Sequence, residues 1–233
     1  MQSTRPSQPT HIAGIIFDMD GTLIDSELHL EAVVHAILGE HHLSAEHFDF
    51  SSIYGITWES IARVLWTAFP TLEACNLASD LQQRFDASVR ITPAPFIPGA
   101  KEFLLDCCAK LPTAIATSAH RSSMEQLIAR MGVESKLQVA VSAEDYANSK
   151  PSPDCFLLAA RRLGVAPEHC LVFEDSIAGL QGAKAAGMWA AAITHRCPDL
   201  TQAQHIADFT VRDFTQLPTD FVAEVMAPRR MGP

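Results

Sequence analysis

The chain has 233 residues, of which 48% are hydrophobic and 19% charged, and its formal net charge is −10. This composition is typical of a folded globular protein, and the acidic balance argues against a nucleic-acid-binding surface, which needs clustered Lys and Arg. No apolar run reaches the ~18 residues of a membrane span, and residues 1–11 lack the apolar centre of a secretory signal. We therefore expect a cytoplasmic protein with no nucleic-acid or membrane partner and a disordered tail over residues 1–11.

The first predicted element is a short buried strand that runs directly into two carboxylates. In the segment GIIFDMDG, which begins at Gly14, Asp18 and Asp20 come straight after the apolar stretch. From Glu27 to about Val89, apolar residues then recur at helical spacing without strand-like alternation. The segment ITPAPFIPG, from residue 91, breaks this periodicity with three prolines and predicts a hinge or linker.

From about residue 100 onward, strand-like and helix-like segments alternate. The predicted strands are TAIAT, LQVAVS, CLVF and MWAAAIT, with ADFTV as a candidate last strand. Such alternation implies a parallel sheet with helices on both faces. We predict an α/β fold: a Rossmann-like parallel-sheet core formed by residues 12–26 and 94–233, with an inserted α-helical cap domain of residues 27–93.

Polar side chains follow four of the predicted strands, directly at the end of three strands and, after LQVAVS, at the start of the next predicted helix. The seven residues are Asp18, Asp20, Thr117, Ser118, Lys150, Glu174 and Asp175. They should converge, because ligands of open parallel sheets bind at the carboxyl ends of the strands. Two carboxylates about 4 Å apart repel by roughly 4 kcal/mol at an effective dielectric constant near 20, so a cation must compensate. Oxygen ligands favour Mg²⁺, and a lysine suits a phosphoryl oxygen.

Each of these residues also has a plainer interpretation when it is taken alone. Asp-x-Asp-Gly is good turn chemistry, and Thr117 could cap a helix. Lys150 could lie in solvent, and Glu174 with Asp175 could cap the next helix. Their joint occurrence at successive strand ends favours one site.

The histidines of EHHLSAEH, from residue 40, could bind a metal, but a polar helix end is the favoured interpretation. The six cysteines include no C-x-x-C pair, so we expect reduced thiols.

Four segments around these residues resemble the motifs of the haloacid dehalogenase superfamily of phosphotransferases. They are DMDGTLIDSE, IATS, KPSPDCF and VFEDSIAGLQGAKAAGM. The helical insertion resembles the small cap of the β-phosphoglucomutase-like branch. The resemblance implies the fold of that superfamily and a Mg²⁺-dependent phosphatase of a small phosphorylated metabolite, with a sugar or polyol phosphate as the expected substrate.

The resemblance also implies a role for each residue. Asp18 would be the nucleophile that takes the phosphoryl group, and Asp20 would be the general acid and base. Thr117 and Ser118 would bind the transferring phosphoryl group, and Lys150 would offset its charge.

The same resemblance implies a set of metal ligands. Mg²⁺ would be held by Asp18, by the main-chain carbonyl of Asp20 and by Asp175. Glu174 would contact these ligands rather than the ion itself, or would reach the ion through a water molecule. In the cap, Gly55 and Trp58 are candidates for substrate specificity.

Two other functions stay open. The mutase of this branch has a cap histidine and a cap-loop arginine, whereas this chain has Leu30 and Trp58 at the corresponding places, so a phosphatase is favoured over a phosphosugar mutase. The third function is a noncatalytic phosphometabolite-binding protein, which would not need an acid and base beside a nucleophile. We expect a monomer or a weak homodimer.

Overall fold

The structure is a computed structural model that describes residues 11–54, 56–72, 76–197 and 199–226. The chain divides into two compact units. The first contains the described residues up to Ile24 and those from Phe96 onward, and the second is Asp25–Pro95. Residues 1–10 of the predicted tail and the specificity candidate Gly55 lie outside the described residues.

The first unit is built on a parallel sheet. Its strands are β1 (Gly14–Phe17), β2 (Thr113–Ala116), β3 (Val139–Val141), β4 (Cys170–Glu174), β5 (Trp189–Ile193) and β6 (Phe209–Val211). They form one six-stranded sheet in the order β3-β2-β1-β4-β5-β6, and every neighbouring pair is parallel. The predicted α/β fold with a parallel sheet is therefore confirmed.

The α-helices of the described residues are α1 (Glu27–Glu40), α2 (Trp58–Ala68), α3 (Leu77–Ile91), α4 (Ala100–Lys110), α5 (Arg121–Met131), α6 (Asp154–Leu163), α7 (Ile177–Ala185), α8 (Leu200–Ile206) and α9 (Phe221–Met226). The first three belong to the second unit and the others to the first. Helix α5 stops at Gly132, whose φ of 70° is in the left-handed region that suits glycine. None of these helices combines the length and the hydrophobicity needed to cross a bilayer.

Alternate residues of the central strands enter two different cores. Ile16 and Val172 belong to a cluster that also contains Phe156 of α6. Phe17 and Phe173, one residue further along each strand, stack on the other face with their ring centroids 5.2 Å apart. Because both faces are covered, all four residues of β1 are buried, which explains why its sequence is apolar without alternation.

The second unit has a hydrophobic core of its own. Twelve buried residues from its helices and the connections between them form this core: Leu30, Val33, Val34, Ile37, Leu38, Ile53, Ile61, Ala62, Leu65, Leu72, Leu77 and Leu81. On its surface, Arg84 of α3 contacts Glu40 of α1 at 2.6 Å and Asp80 at 2.9 Å, which links two of the helices.

The chain crosses between the two units twice, and the crossing segments lie side by side. Ile24 and Phe96 form an antiparallel bridge, and the Ile97 N–H donates to the Leu23 carbonyl at 3.0 Å. In the second unit, the Asp25 N–H donates to the carbonyl of Pro95 at 2.9 Å.

Candidate active site

The strand order brings the ends of β2, β1 and β4 together. β1 lies between the other two strands, and Phe17 is in register with Ile115 on one side and Phe173 on the other. Asp18 directly follows β1, and its N–H extends the ladder by donating to the Phe173 carbonyl at 2.9 Å. Asp18 is therefore fixed at the centre of the carboxyl edge of the sheet, where ligands of such sheets bind.

Lys150 joins two of the predicted carboxylates. Its Nζ donates to Asp18 Oδ1 at 2.5 Å and to Glu174 Oε1 at 2.6 Å. The exposed fractions of the three side chains are 8% for Lys150, 8% for Asp18 and 1% for Glu174. The interpretation of Lys150 as a solvated surface residue was therefore wrong. When both carboxylates are ionised, one buried ammonium between them leaves an excess negative charge, which favours binding of a further cation.

Burial and the neighbouring charges shift the pKa values of Asp18 and Lys150. Burial raises the pKa of Asp18 to about 8; the Lys150 ammonium opposes this shift and the charge of Glu174 adds to it. Burial lowers the pKa of Lys150, but attraction to the two carboxylates outweighs burial and holds this pKa well above its usual value. Lys150 therefore stays charged, and additional positive charge would favour the ionised form of Asp18.

Glu174 is held from two sides at the start of α7. Its Oε2 accepts hydrogen bonds from the Ser176 N–H at 2.6 Å and from Ser176 Oγ at 2.9 Å. A Cβ at Gly179 would lie only 1.8 Å from Glu174 Oε1, so this carboxylate occupies the space that any side chain at position 179 would need. Glu174 is thus oriented toward Lys150 by the first turn of α7.

Asp175 is fixed by the turn that follows Asp18. Thr22 Oγ1 donates to Asp175 Oδ1 at 3.1 Å. Gly21 has a φ of 77°, and a Cβ there would lie 2.0 Å from Asp175 Oδ2. The glycine of Asp-x-Asp-Gly is therefore required both by the backbone and by the carboxylate beside it. Asp20, in the same turn, is half-buried, and its charge contributes to the raised pKa of Asp18.

Three of these carboxylates could hold a metal ion together. Asp18, Glu174 and Asp175 each offer an oxygen, and these atoms lie within 4.8 Å of one another. An all-oxygen donor set with excess negative charge fits a hard divalent cation such as Mg²⁺. The histidine-rich segment after residue 40 contributes to no such group among the described residues.

Thr117 lies beside Asp18, at the end of β2. It is buried, its N–H donates to the Val141 carbonyl at 3.0 Å, and its Oγ1 accepts from the Ala119 N–H at 3.0 Å. Since a hydroxyl can accept and donate at once, the proton of Thr117 is left to donate to a ligand. The N-cap of α5 is His120, so the interpretation of Thr117 as a helix cap was wrong.

The model of one family matches most of the chain. Residues 12–187 match the haloacid dehalogenase-like hydrolases. The chain belongs to this family. The resemblance inferred from the four motifs is therefore confirmed.

Three comparisons illustrate the relatives of this haloacid dehalogenase-like hydrolase. Fructose-1-phosphate phosphatase YqaB of Escherichia coli (strain K12) is 31% identical over 76% of this chain and 93% of its own length. A phosphoglycolate phosphatase of Xylella fastidiosa (strain 9a5c) is 29% identical over 81% of this chain and 82% of its own. The crystal structure of β-phosphoglucomutase from Clostridium difficile has a TM-score of 0.71 at 21% identity, over 92% and 97% of the two chains, which shows a shared fold.

Leu30 and Trp58, two residues of the predicted cap, both lie in the second unit of this hydrolase. Leu30 is buried in the core of that unit. Trp58 is the first residue of α2, and its ring lies 5.2 Å from that of Phe85. His29, which precedes Leu30 in the chain, is buried. Its Nδ1 lies 2.6 Å from Ser88 Oγ, and burial lowers its pKa.

Sequence reasoning missed three residues of this hydrolase that contact the predicted ones. Ser176 donates hydrogen bonds to Glu174, Gly179 leaves room for the Glu174 carboxylate, and Tyr146 contacts Thr117 and Ser118. The signal available for Gly179 was its position early in a predicted helix. Glycine is unfavourable there, so its presence indicates a role other than helix formation. Nothing in the sequence singled out Tyr146.

Proposed function

We propose that this chain is a Mg²⁺-dependent phosphatase that hydrolyses the phosphate ester of a small metabolite through a phospho-Asp18 intermediate. The observation that carries the proposal is the buried group of Asp18, Lys150 and Glu174, with Asp175 beside it. A nucleophile next to a fixed ammonium and a cluster of metal-binding oxygens suits phosphoryl transfer, which requires mainly positioning and neutralisation of charge.

The proposed reaction has two steps. A carboxylate oxygen of Asp18 attacks phosphorus, and the bond between phosphorus and the ester oxygen breaks while Asp20 gives that oxygen its proton. Asp20 then takes a proton from water, whose oxygen attacks the phosphorus of phospho-Asp18, and inorganic phosphate leaves with Asp18 restored. Thr117 Oγ1 and the main chain of Ser118 would bind the phosphoryl oxygens, and Lys150 would offset their charge.

The proposed Mg²⁺ ligands are the Asp18 carboxylate, the Asp20 main-chain carbonyl and Asp175. When bound, the ion supplies positive charge beside the transferring phosphoryl group. Glu174 is the third carboxylate of the cluster, but it already accepts hydrogen bonds from Lys150 and Ser176. We therefore assign to Glu174 the role of holding Lys150 in place, and not that of a direct Mg²⁺ ligand.

The named relatives support a small substrate. Two of them are named fructose-1-phosphate phosphatase and phosphoglycolate phosphatase, and the substrate in each name is a small phosphate monoester. A sugar or polyol phosphate is our first candidate. The contribution of Trp58 to substrate preference, the cytoplasmic location and the monomer or weak homodimer stay predictions.

Phosphate release tests the proposal directly. Purified protein is incubated with a panel of phosphorylated sugars, polyols and short organic acids, with Mg²⁺ or with chelator, and each sugar is also assayed for isomerisation. We expect metal-dependent release from a small subset. Isomerisation without release would replace the phosphatase by the mutase, and phosphate binding without turnover would support the noncatalytic function.

Replacing the nucleophile gives the sharper test. Asp18→Asn removes the attacking charge and keeps the shape, so activity should fall more than about 1,000-fold while the protein stays folded. Asp106→Asn is the matched control, because Asp106 is an aspartate of α4 that pairs on the surface with Lys110. This control should keep activity within about twofold of the wild type. Full hydrolysis by the Asp18→Asn variant would exclude phospho-Asp18.

A further inference from the structure

Tyr146 connects two loops of the candidate site. Its hydroxyl oxygen lies 3.2 Å from the main-chain oxygen of Thr117 and 3.2 Å from Ser118 Oγ. Tyr146 lies between β3 and α6, on the same connection as Lys150 and four residues before it. One phenol hydroxyl therefore links the turn after β2 to the segment that carries the lysine.

The protons of this contact can be assigned by counting donors. The carbonyl of Thr117 can only accept, so Tyr146 donates its single hydroxyl proton there. The Ser118 hydroxyl must then be the donor in its bond to the Tyr146 oxygen. The side chain of Ser118 is thus engaged by Tyr146, although Ser118 itself is exposed.

The main-chain N–H groups of the turn can be counted in the same way. The Thr117 N–H donates to the Val141 carbonyl, and the Ala119 N–H donates to Thr117 Oγ1. The Ser118 N–H has no acceptor among the residues that the structure describes. With the side chain of Ser118 engaged, its N–H and the Thr117 hydroxyl are the donors that the turn can offer to an anion.

Tyr146 is itself held firmly. Its ring packs against the hydrophobic cluster that covers one face of the sheet. The preceding residue, Asp145, accepts hydrogen bonds from the N–H and Oγ of Ser142 at 2.9 and 3.0 Å. Asp145 also pairs with Arg121 at 3.0 Å and with Arg162 at 3.1 Å. Because Arg121 is the first residue of α5, these contacts fix the position of Tyr146 relative to the turn that precedes α5.

We propose that Tyr146 is a positioning residue for phosphoryl transfer: its hydroxyl holds the turn of Thr117 and Ser118 so that the Thr117 hydroxyl and the Ser118 N–H are directed at the phosphoryl group. The inference rests on the phosphatase function proposed above. Tyr146 need not touch the substrate, because it acts through the turn. Fixed donors stabilise a transition state without reorganising at the moment of reaction, so losing the link should affect the chemical step more than substrate binding.

The test is Tyr146→Phe, which removes one oxygen and keeps the ring. We expect kcat to fall about tenfold with KM changed less than about twofold. Orthovanadate, which imitates the transferring phosphoryl group, should bind about tenfold more weakly to this variant. The double variant Tyr146→Phe/Ser118→Ala should lose no more activity than Tyr146→Phe, since the Ser118 hydroxyl acts through the tyrosine.

Thr113→Val is the matched control, because it removes a hydroxyl bond to the Leu111 carbonyl at the opposite end of β2. It should lower the unfolding temperature and leave kcat and orthovanadate affinity unchanged. Tyr146→Phe with both values within twofold of the wild type would overturn the inference. If the wild type binds orthovanadate but releases phosphate from no substrate, the proposed function falls, and the ratio of orthovanadate affinities still decides the role of Tyr146.

Discussion

Gly179 is the residue where the least chemical change should have the largest effect on the site. In Gly179→Ala the new Cβ would lie 1.8 Å from Glu174 Oε1, so the carboxylate must move and Lys150 loses a fixed partner. We expect kcat to fall between about tenfold and 100-fold, in line with the cost of small displacements in active sites.

Gly39→Ala is the control, because a Cβ at this position of α1 has nothing within 4 Å. This variant should keep full activity and gain up to about 0.5–1 kcal/mol in the free energy of unfolding, measured in urea. An unchanged kcat in Gly179→Ala would mean that Glu174 has no part in holding Lys150.

The charged residues of the candidate site could be predicted from the sequence, but the residues that keep them and the neighbouring turn in position could not. Asp18, Lys150 and Glu174 could be placed because they occur together after successive predicted strands and within the motifs of a known family, although each alone has an ordinary structural interpretation. Gly179 matters because it has no side chain where the Glu174 carboxylate lies, and Tyr146 matters because of one hydroxyl group. Both depend on contacts that the fold creates. Such contacts become visible only when the fold is known.

At the scale of the elements, the first turn of α7 has both a structural and a functional task. Ser176 is its N-cap: Ser176 Oγ accepts from the Gly179 N–H at 3.0 Å and also donates to Glu174 at 2.9 Å. Ser176→Ala should therefore lower the free energy of unfolding by about 1 kcal/mol and also lower kcat, by about tenfold.

Asp199→Ala separates these two effects. Asp199 is the N-cap of α8 and accepts from the Gln202 N–H at 2.8 Å. This variant should lose similar stability in urea unfolding and keep its kcat. If Ser176→Ala is destabilised but fully active, the hydrogen bond to Glu174 is dispensable.

The elements differed in how well the sequence defined them. The strands of the core could be located because both faces of the sheet are covered, which makes each strand a short apolar run between helical segments. The insertion was predicted as one helical stretch without internal boundaries, whereas the structure has α1, α2 and α3 there. Periodicity alone does not show where one amphipathic helix ends and the next begins.

At the scale of the whole molecule, each unit has its own hydrophobic core, so we expect the two units to unfold separately. The three tryptophans can report on them individually, since Trp189 lies in the first unit and Trp58 and Trp66 lie in the second. Mg²⁺ at 100 times its Kd should stabilise the unit that binds it by about 2.7 kcal/mol.

Fluorescence in urea checks this expectation with two variants. Trp58→Phe/Trp66→Phe retains Trp189 and should show a higher unfolding midpoint when Mg²⁺ is added. Trp189→Phe retains the other two tryptophans, and its unfolding midpoint should not change when Mg²⁺ is added. Adding Asp18→Asn should remove the shift, and equal shifts in both tryptophan variants would mean that the chain unfolds as one cooperative body.

The side-by-side crossings at Ile24 and Phe96 have a consequence for how such a protein can change over evolutionary time. A segment whose two ends are neighbours can be lengthened, shortened or exchanged without altering the strand order of the sheet that receives it. We therefore expect mutations in residues 25–95 to leave unchanged the register of β1 with β2 and β4, which sets the position of Asp18. Descendants of one ancestral gene can in this way inherit the same carboxyl edge of the sheet and acquire different inserted units.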